Sequence, residues 1–420
     1  MNEVLFLALR ILVYVFIGFS AYKKKSLTHW IFFFMFVGGE IGYNFPEFAI
    51  GLKVLSTAFL KLIKTIVAPL LFGTLVVGIA GHSNIKQVGR MGWKSLVYFE
   101  IVTTLALFVG LAAINLSKAG KGIVLNVKES ADILPAAKQT GSDIFLHIFP
   151  ENIAKSVAEG QILQVVFFSI LFGIALAMIE EKKRKPMLDF AESLSETMFK
   201  FTNIIMYLAP IGVGAATAYT VGSMGLGILL NLLKLLLTLY GALIAFVVLI
   251  LVPIGLIIKL PFKKFIAAIS KPVTIAFATT SSEAALPSAM EAMEKIGVPR
   301  KIVAFVMPTG YSFNLDGTTL YLSLASVFVA QAAGVELSIS QQLIMVFTLM
   351  LTSKGVAGVP RASLVILLGT VASFNLPAEP VFAILGIDAL MDMARTAVNV
   401  VGNCLASVVV AKWEGEFAEE

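Results

Sequence analysis

Residues 388–403 read Asp388-Ala389-Leu390-Met391-Asp392-Met393-Ala394-Arg395-Thr396-Ala397-Val398-Asn399-Val400-Val401-Gly402-Asn403, inside the last strongly apolar segment of the chain, Phe382 to Val410. Asp388, Asp392, Arg395, Asn399 and Asn403 follow at steps of four, three, four and four, with Thr396 beside Arg395. An α-helix turns once every 3.6 residues, so these five polar side chains share one face. The other faces carry Ala, Ile, Leu, Met and Val, which suit lipid or packed protein. Ionisable groups at membrane depth are costly and mark substrate or ion pathways. The stripe predicts a helix that lines a transport route.

Working outward, the chain fits a membrane setting: of 420 residues, 58% are hydrophobic and 14% charged, and the mean hydropathy is +0.91. Soluble domains carry about 25% charged residues. Apolar runs long enough to cross about 30 Å of hydrocarbon recur along most of the chain. The expected fold class is therefore an all-α polytopic, multi-pass membrane protein whose partner is the lipid bilayer. The formal charge of +6 does not point to nucleic acid, because the basic residues cluster in short loops: Lys23-Lys24-Lys25, Lys182-Lys183-Arg184-Lys185 and Lys263-Lys264. That is the positive-inside pattern of cytoplasmic loops. Cys404 is the only cysteine, which excludes an intrachain disulfide and a cysteine-based metal site. A buried apolar thiol is expected there. His29, His82 and His147 have no metal-ligand partner at helical spacing and read as structural or exposed.

Val4–Tyr22 is apolar, but Glu3 stands where a signal peptide is basic and the positive cluster follows the segment, so a membrane helix with a cytoplasmic C-terminal end is expected. Further spans are expected at Trp30–Tyr43, Val54–Gly81, Trp93–Leu116, Gln161–Ile179, Met187–Val221 and Gly225–Ile258. Ser117–Asp143 reads as a polar loop, and Ile144–Gly160 as an interfacial stretch. Several of these segments exceed a perpendicular span, which implies tilt or breaks.

Two later segments, Phe262–Met293 and Ser340–Phe374, are apolar but interrupted near the middle. The first interruption is Thr279-Thr280-Ser281-Ser282-Glu283-Ala284-Ala285-Leu286-Pro287, and the second is Thr352-Ser353-Lys354-Gly355-Val356-Ala357-Gly358-Val359-Pro360-Arg361. Paired interruptions of this kind point to a transporter's binding site. Broken backbone cannot face lipid and survives only in protein or against a watery cavity. Each segment is thus expected to be a re-entrant hairpin; the alternative is a solvent-exposed loop between short helices. Between them, Pro308-Thr309-Gly310-Tyr311-Ser312-Phe313-Asn314-Leu315-Asp316-Gly317-Thr318 contains poor helix formers. An unwound turn there would offer carbonyls and the Asn314 and Asp316 side chains to a hard cation. The alternative for Asp316 is a structural ion pair.

Arg395 is planar and bidentate, suited to a carboxylate. Asp392, one turn earlier, can accept hydrogen bonds from an ammonium group. Together they describe an amino acid with an acidic side chain, whose α-carboxylate would sit against amides of the broken half-helices. The alternative is a mutual salt bridge between Asp392 and Arg395, which is also a natural empty state. No nucleophile–base pair or phosphate-cradling loop is present in the sequence, so an enzyme is not expected and no cofactor is implied. A channel is the rival class, but paired hairpins suit alternating gates better than continuous access.

Four motifs resemble, in order, those of the dicarboxylate/amino acid:cation symporters: Ser281-Ser282-Glu283, Phe313-Asn314-Leu315-Asp316-Gly317-Thr318, Gly355-Val356-Ala357-Gly358-Val359-Pro360, and Asp392-Met393-Ala394-Arg395-Thr396-Ala397-Val398-Asn399. The resemblance extends from about Trp30 to the C-terminus. It implies the glutamate-transporter-like fold, with inverted repeats and two re-entrant hairpins, and secondary active symport of L-glutamate or L-aspartate with sodium, protons or both. A homotrimer in the cell (inner or plasma) membrane is implied, each protomer moving a transport domain like an elevator past a scaffold. The same-fold alternative is a C4-dicarboxylate symporter, against which Asp392 argues. By resemblance the chain divides into an extra N-terminal helix and basic loop (1–28), scaffold (29–91), transport domain (92–116), polar loop and scaffold (117–224), transport domain (225–414) with hairpins at about 262–296 and 340–374, and a tail (415–420).

Carried over by motif, Arg395 resembles the arginine that reads a side-chain carboxylate, and Asp392 the aspartate that binds the amino group. Thr318, Thr396 and Asn399 resemble the remaining side-chain contacts, while Ser282 and Val359 would contribute backbone, with Ser281 beside them at the tip. Cation ligands are implied at Gly310, Asn314, Asn399 and Asp388, at Asp316 with Thr103 and Thr104, and at Ser353. Asn403 stands in the cation-ligand set where sodium-coupled archaeal relatives carry an aspartate. Leu322 replaces a glutamate used for potassium coupling in animal relatives. Glu100, within the apolar Val97–Val109 stretch, is the candidate proton carrier, with a buried hydrogen-bonded glutamate as the alternative. Arg361 adds a cation at the second hairpin tip.

Overall fold

The computed structural model describes residues 27–80, 85–123, 149–159, 161–353, 362–374 and 376–418, with positions 15, 18, 19, 22 and 23. Most of the expected N-terminal helix, His82, His147, much of the polar loop, and 354–361 with Val359 and Arg361 lie outside the described residues. Among the described residues all regular structure is helical. In chain order the helices are α1 (Leu27–Asn44), α2 (Pro46–Gly51), α3 (Lys53–Ala80), α4 (Ile85–Ser117), α5 (Ile153–Glu159), α6 (Ile162–Met178), α7 (Glu181–Met206) and α8 (Ala209–Met224). Then come α9 (Gly227–Phe246), α10 (Val252–Ile257), α11 (Phe262–Thr279), α12 (Ser282–Lys295), α13 (Arg300–Phe313), α14 (Asp316–Ala332), α15 (Ile339–Thr352), α16 (Ala362–Ser373) and α17 (Glu379–Glu414).

Proline explains the departures from straight spans. The expected span Met187–Val221 is two helices, α7 and α8, bent by 53° at their junction. Pro210, at the start of α8, has no N–H to give and its ring crowds the carbonyl one turn back. Likewise α9 continues through a π-helical turn, Val247–Leu251, into α10 just before Pro253, where the lost hydrogen bond is absorbed by the wider turn. The two described helices long and apolar enough to cross a membrane are Met91–Ser117 and Gly227–Ile257. The six-residue α2 is an addition that the sequence reading missed.

Two sets of packing contacts organise the rest. In the first, α8 lies along α1 and also meets α2 and α3, and α3 packs on α6 and α7. Lipid tails are as apolar as leucine, so helices in a membrane associate by close approach rather than by hydrophobic transfer. Accordingly α1 and α8 touch backbone to backbone: a Cβ on Gly38 would collide with the Gly214 carbonyl, and one on Gly42 would lie 2.6 Å from the Ala218 carbonyl. In the second set, α17 is the hub for α9, α11, α12, α13 and α14 and also packs on α8 of the first set, while α4 lies against α14, α9 and α13. Every residue of α14 except Gln331 is buried, as befits a central helix. The second hairpin reaches both sets, with α15 on α4 and α6 and α16 on α14 and α3.

The end of α17 is tied down. Lys94 Nζ reaches Glu414 at 2.6 Å, donates to the Trp413 carbonyl at 2.9 Å, and sits over the Trp413 ring. Beyond the Gly415 cap, Ala418 N–H donates to the Gly297 carbonyl at 3.0 Å, and Lys301 pairs with Glu416 at 2.7 Å. The last residues thereby fasten the turn after α12 to α17.

Candidate functional site

The site is made where helices break. Hairpin one turns at Thr280, a non-glycine residue with left-handed backbone (φ 53°), and restarts with Ser281 in extended geometry. Ser281 Oγ accepts the Ala284 N–H at 3.3 Å and so caps α12. Ser282 is buried as the first residue of α12. The interruption is therefore narrower than the sequence suggested, since Pro287 already lies inside α12.

The second break separates α13 from α14 at Asn314 and Leu315, both outside helical geometry. Asn314 N–H still bonds the Gly310 carbonyl at 2.7 Å, which leaves that oxygen a second lone pair. Asn403 Nδ2 donates to the freed Asn314 carbonyl at 3.3 Å. Asn314 Nδ2 approaches Asp316 Oδ2 and Asn403 Oδ1, both at 3.5 Å. Asn314, Asp316 and Asn403 have no solvent exposure, and Asn314 Oδ1 has no hydrogen-bond partner among the described residues. Gly402 lies against Asp316 so closely that a Cβ would collide with Oδ2. The expected oxygen cluster is thus assembled in the interior.

One turn of α14 further on is the polar stripe of α17. Asn399 Oδ1 accepts the Thr318 N–H at 3.1 Å, and Asn399 Nδ2 donates to Thr318 Oγ1 at 2.9 Å. Leu315 gives α14 no side-chain cap, so Asn399 satisfies one of its orphan first-turn donors from another helix. A Cβ on Gly317 would collide with the Arg395 carbonyl, which puts the start of α14 directly on the Arg395 backbone. Arg395 itself is fully buried. Its Nε donates to Asp392 Oδ1 at 2.9 Å and its Nη1 to Asp388 Oδ1 at 3.0 Å. The guanidinium carbon lies 4.1 Å from the centre of the Tyr321 ring, a favourable cation–π placement. Thr396 Oγ1 donates to Asp392 Oδ1 at 3.3 Å. Arg395 Nη2 is buried without a hydrogen-bond partner among the described residues.

The structure therefore brings Thr318, Asp392, Arg395, Thr396 and Asn399 together on one side of the α14 start, and Gly310, Asn314, Asp316 and Asn403 on the other. The Asp392–Arg395 salt bridge weighed from the sequence is formed, and Asp388, expected among the cation ligands, joins it. Thr103 is buried on α4, its hydroxyl donating to the Phe99 carbonyl at 2.6 Å, with Thr104 half-buried beside it. Ser353 ends α15 with a buried hydroxyl that has no partner among the described residues. Glu100 lies on the exposed face of α4, not in a buried pocket. Tyr321 was missed, because an aromatic in an apolar helix carries no signal of its own. Cys404 is buried, as its sequence context implied. Among the described residues no three His, Cys, Asp or Glu gather as a metal-ligating set; the donors here are amide, carbonyl and hydroxyl oxygens around single carboxylates, the preference of a hard cation.

The profile of the sodium:dicarboxylate symporter family matches residues 27–413. Over 408 residues the chain is 41% identical to a protein of Bacillus caldotenax named proton/sodium-glutamate symport protein, covering 95% of this chain and 97% of that one. It is 44% identical over 368 residues to the proton/glutamate-aspartate symporter of Escherichia coli (strain K12), covering 86% and 84% of the two chains. It is also 44% identical over 388 residues to the C4-dicarboxylate transport protein of Paraburkholderia phymatum, covering 91% of each.

Proposed function

Because the chain belongs to the sodium:dicarboxylate symporter family, a family of membrane transporters and not of enzymes, we propose that it moves L-glutamate or L-aspartate across the membrane together with sodium ions, protons or both. The observation that carries the choice of substrate is the buried guanidinium of Arg395 held between Asp388 and Asp392 with Nη2 left over. Two carboxylates against one guanidinium leave one net negative charge. An incoming ammonium group neutralises it by taking over Asp392, which releases Arg395 Nε to join Nη2 as a fork for the side-chain carboxylate. A dicarboxylate brings no ammonium and would leave Asp392 uncompensated. Thr318, Thr396 and Asn399 supply further polar contacts, and Ser281, Ser282 and Val359 supply hairpin-tip backbone for the α-carboxylate.

Cations act from the other side of the same contact. Cations held by Asn314 with Gly310, Asn399 and Asn403, and by Asp316 with Thr103 and Thr104, fix the break before α14, and Ser353 supplies a separate donor from the second hairpin. Thr318 and Asn399 carry that order to Arg395 through the two hydrogen bonds and the Gly317 contact. Cation and substrate thus stabilise the same arrangement, which is reciprocal coupling. Glu100 remains the candidate proton carrier, and its exposed position favours exchange with solvent or an interface over a sealed pocket.

We further propose that α1–α3 and α6–α8 form the stationary scaffold of a homotrimer in the cell membrane, and that α4 and α9–α17 travel as the transport domain. The second hairpin lies against α3 and α6, across the boundary between the two proposed parts. The test is uptake of radiolabelled L-aspartate, and separately succinate, into proteoliposomes under imposed sodium or proton gradients. Aspartate uptake under either gradient supports the reading. Succinate uptake without aspartate or glutamate uptake establishes the C4-dicarboxylate alternative, which the similarity to the Paraburkholderia phymatum protein keeps in view.

A further inference from the structure

A cavity of about 520 Å³ lies between α1, α8, α9 and α17, where the ends of the first two helices meet the starts of the other two. The 18-residue α1 is nearly as long as the hydrocarbon layer is thick, so its ends stand at headgroup level. Exposed Tyr43, in the cavity wall, suits that level. Deeper along the helices the wall is apolar, with Met35, Phe36, Leu232 and Ile387. Its polar groups lie nearer the helix ends: Glu40 and Thr220 fall within the last five residues of α1 and α8. The cavity is therefore amphipathic along the membrane normal, as a lipid is.

Thr220 is 2% exposed, and its hydroxyl has no hydrogen-bond partner among the described residues. Its neighbours on α8 do not share this condition. Thr217 donates to the Val213 carbonyl at 2.9 Å and Ser223 to the Tyr219 carbonyl at 2.6 Å, each one turn back. A buried hydroxyl without a partner is costly, and valine would give the same shape without it. A water molecule needs two to four polar partners, more than this wall offers around Thr220. Glu40, whose Oε1 accepts Asn44 Nδ2 at 2.6 Å, is the one charged residue of the described wall. Its negative charge disfavours an anionic occupant.

We propose that this cavity binds one phospholipid with a primary ammonium headgroup, a phosphatidylethanolamine. An acyl chain fills the apolar depth, an ester carbonyl accepts the Thr220 hydroxyl, and the ammonium group donates to Glu40. Phosphatidylcholine has no N–H to donate there, and phosphatidylglycerol brings a net negative charge toward Glu40. The volume lies within the range of ligand pockets, about 300–1,000 Å³. Two walls belong to the proposed scaffold and two to the proposed transport domain, so on that reading a seated lipid bridges the moving boundary. The site itself does not depend on which substrate is carried.

The test is native mass spectrometry of the purified full-length protein in detergent, titrated separately with phosphatidylethanolamine, phosphatidylcholine and phosphatidylglycerol. Wild type should bind one phosphatidylethanolamine per protomer in preference to the other two. Thr220→Val should bind it about three- to tenfold more weakly, with a lipid-free unfolding temperature no lower than wild type's. Glu40→Gln should lose the preference over phosphatidylcholine. A Cβ on Gly39 would meet only Thr217, at 3.9 Å, so Gly39→Leu places a side chain in the cavity and should abolish the bound lipid. Should Thr220→Val not purify, the Glu40→Gln and Gly39→Leu comparisons decide. No preference for phosphatidylethanolamine in wild type overturns the assignment, as does equal binding by wild type and the variants, or weaker binding by Thr220→Val with a lowered lipid-free unfolding temperature. The uptake assay decides the acidic amino acid reading separately.

Discussion

Gly402 and Asp316 compete for one volume: a side-chain carbon at 402 would stand where the Asp316 carboxylate oxygen is. The two residues belong to α17 and α14, so the carboxylate reaches its position only because α17 has no side chain there. Gly402→Ala must displace the carboxylate or part the helices, and overpacking of this kind costs about 1–3 kcal/mol. The expected outcome is a half-saturating cation concentration raised roughly ten- to hundredfold, measured in uptake titrations, with aspartate affinity recovering at high cation. Uptake that titrates like wild type would remove Asp316 from the cation site.

Removing Arg395 leaves Asp388 and Asp392 facing each other in the interior. Breaking a buried charge network in this way costs about 3–5 kcal/mol. Arg395→Cys should therefore depress acidic amino acid uptake by at least about a hundredfold and shift competition toward neutral amino acids such as L-serine. Unchanged glutamate uptake would sink the role given to Arg395.

Asn399 caps α14 from a distance, and its loss should be felt in stability before any substrate is added. Asn399→Ala orphans the Thr318 N–H and hydroxyl, a cost of about 1–3 kcal/mol. The thermal unfolding midpoint of the substrate-free protein should fall. Asn399→Asp keeps the acceptor for Thr318 N–H and should recover part of the loss, an outcome that separates capping from simple filling of space.

Lys94 and Glu414 test the fastening of α17. Glu414 is almost fully buried in this pair, and Lys94→Met strips it of its ammonium while keeping the apolar stem. The protein should lose up to about 3 kcal/mol, read as a lower unfolding temperature. Glu416→Gln, in the more exposed pair with Lys301, should cost no more than about 1 kcal/mol.

The sequence made the hub of the molecule legible because its polar residues keep helical period. Asp388 through Asn403 all emerge on the buried side of α17, and the poor helix formers around Asn314 do mark a break. What stayed hidden depends on contacts between distant segments. Tyr321 stacks on a guanidinium 74 residues later, and an aromatic ring in an apolar helix gives no period to read. Asp388 is two turns from Arg395, too far for the near-neighbour pairing that made Asp392 visible, yet the long arginine reaches it. Glu100 is flanked by apolar residues on all sides in sequence, so nothing local tells which face of α4 meets the interior. Pro210 was visible, but prolines are tolerated in membrane helices, and only the packed structure shows that this one bends α7 away from α8.

The glycine contacts that weld α1 to α8 have a use for the experimenter. Two backbones in van der Waals register cannot slide past each other without opening a void, so this pair is the natural ruler of the molecule. Spectroscopic labels placed on its outer face would define an internal frame, and distances from that frame to labels on α17 would show whether α17 moves relative to α1 and α8.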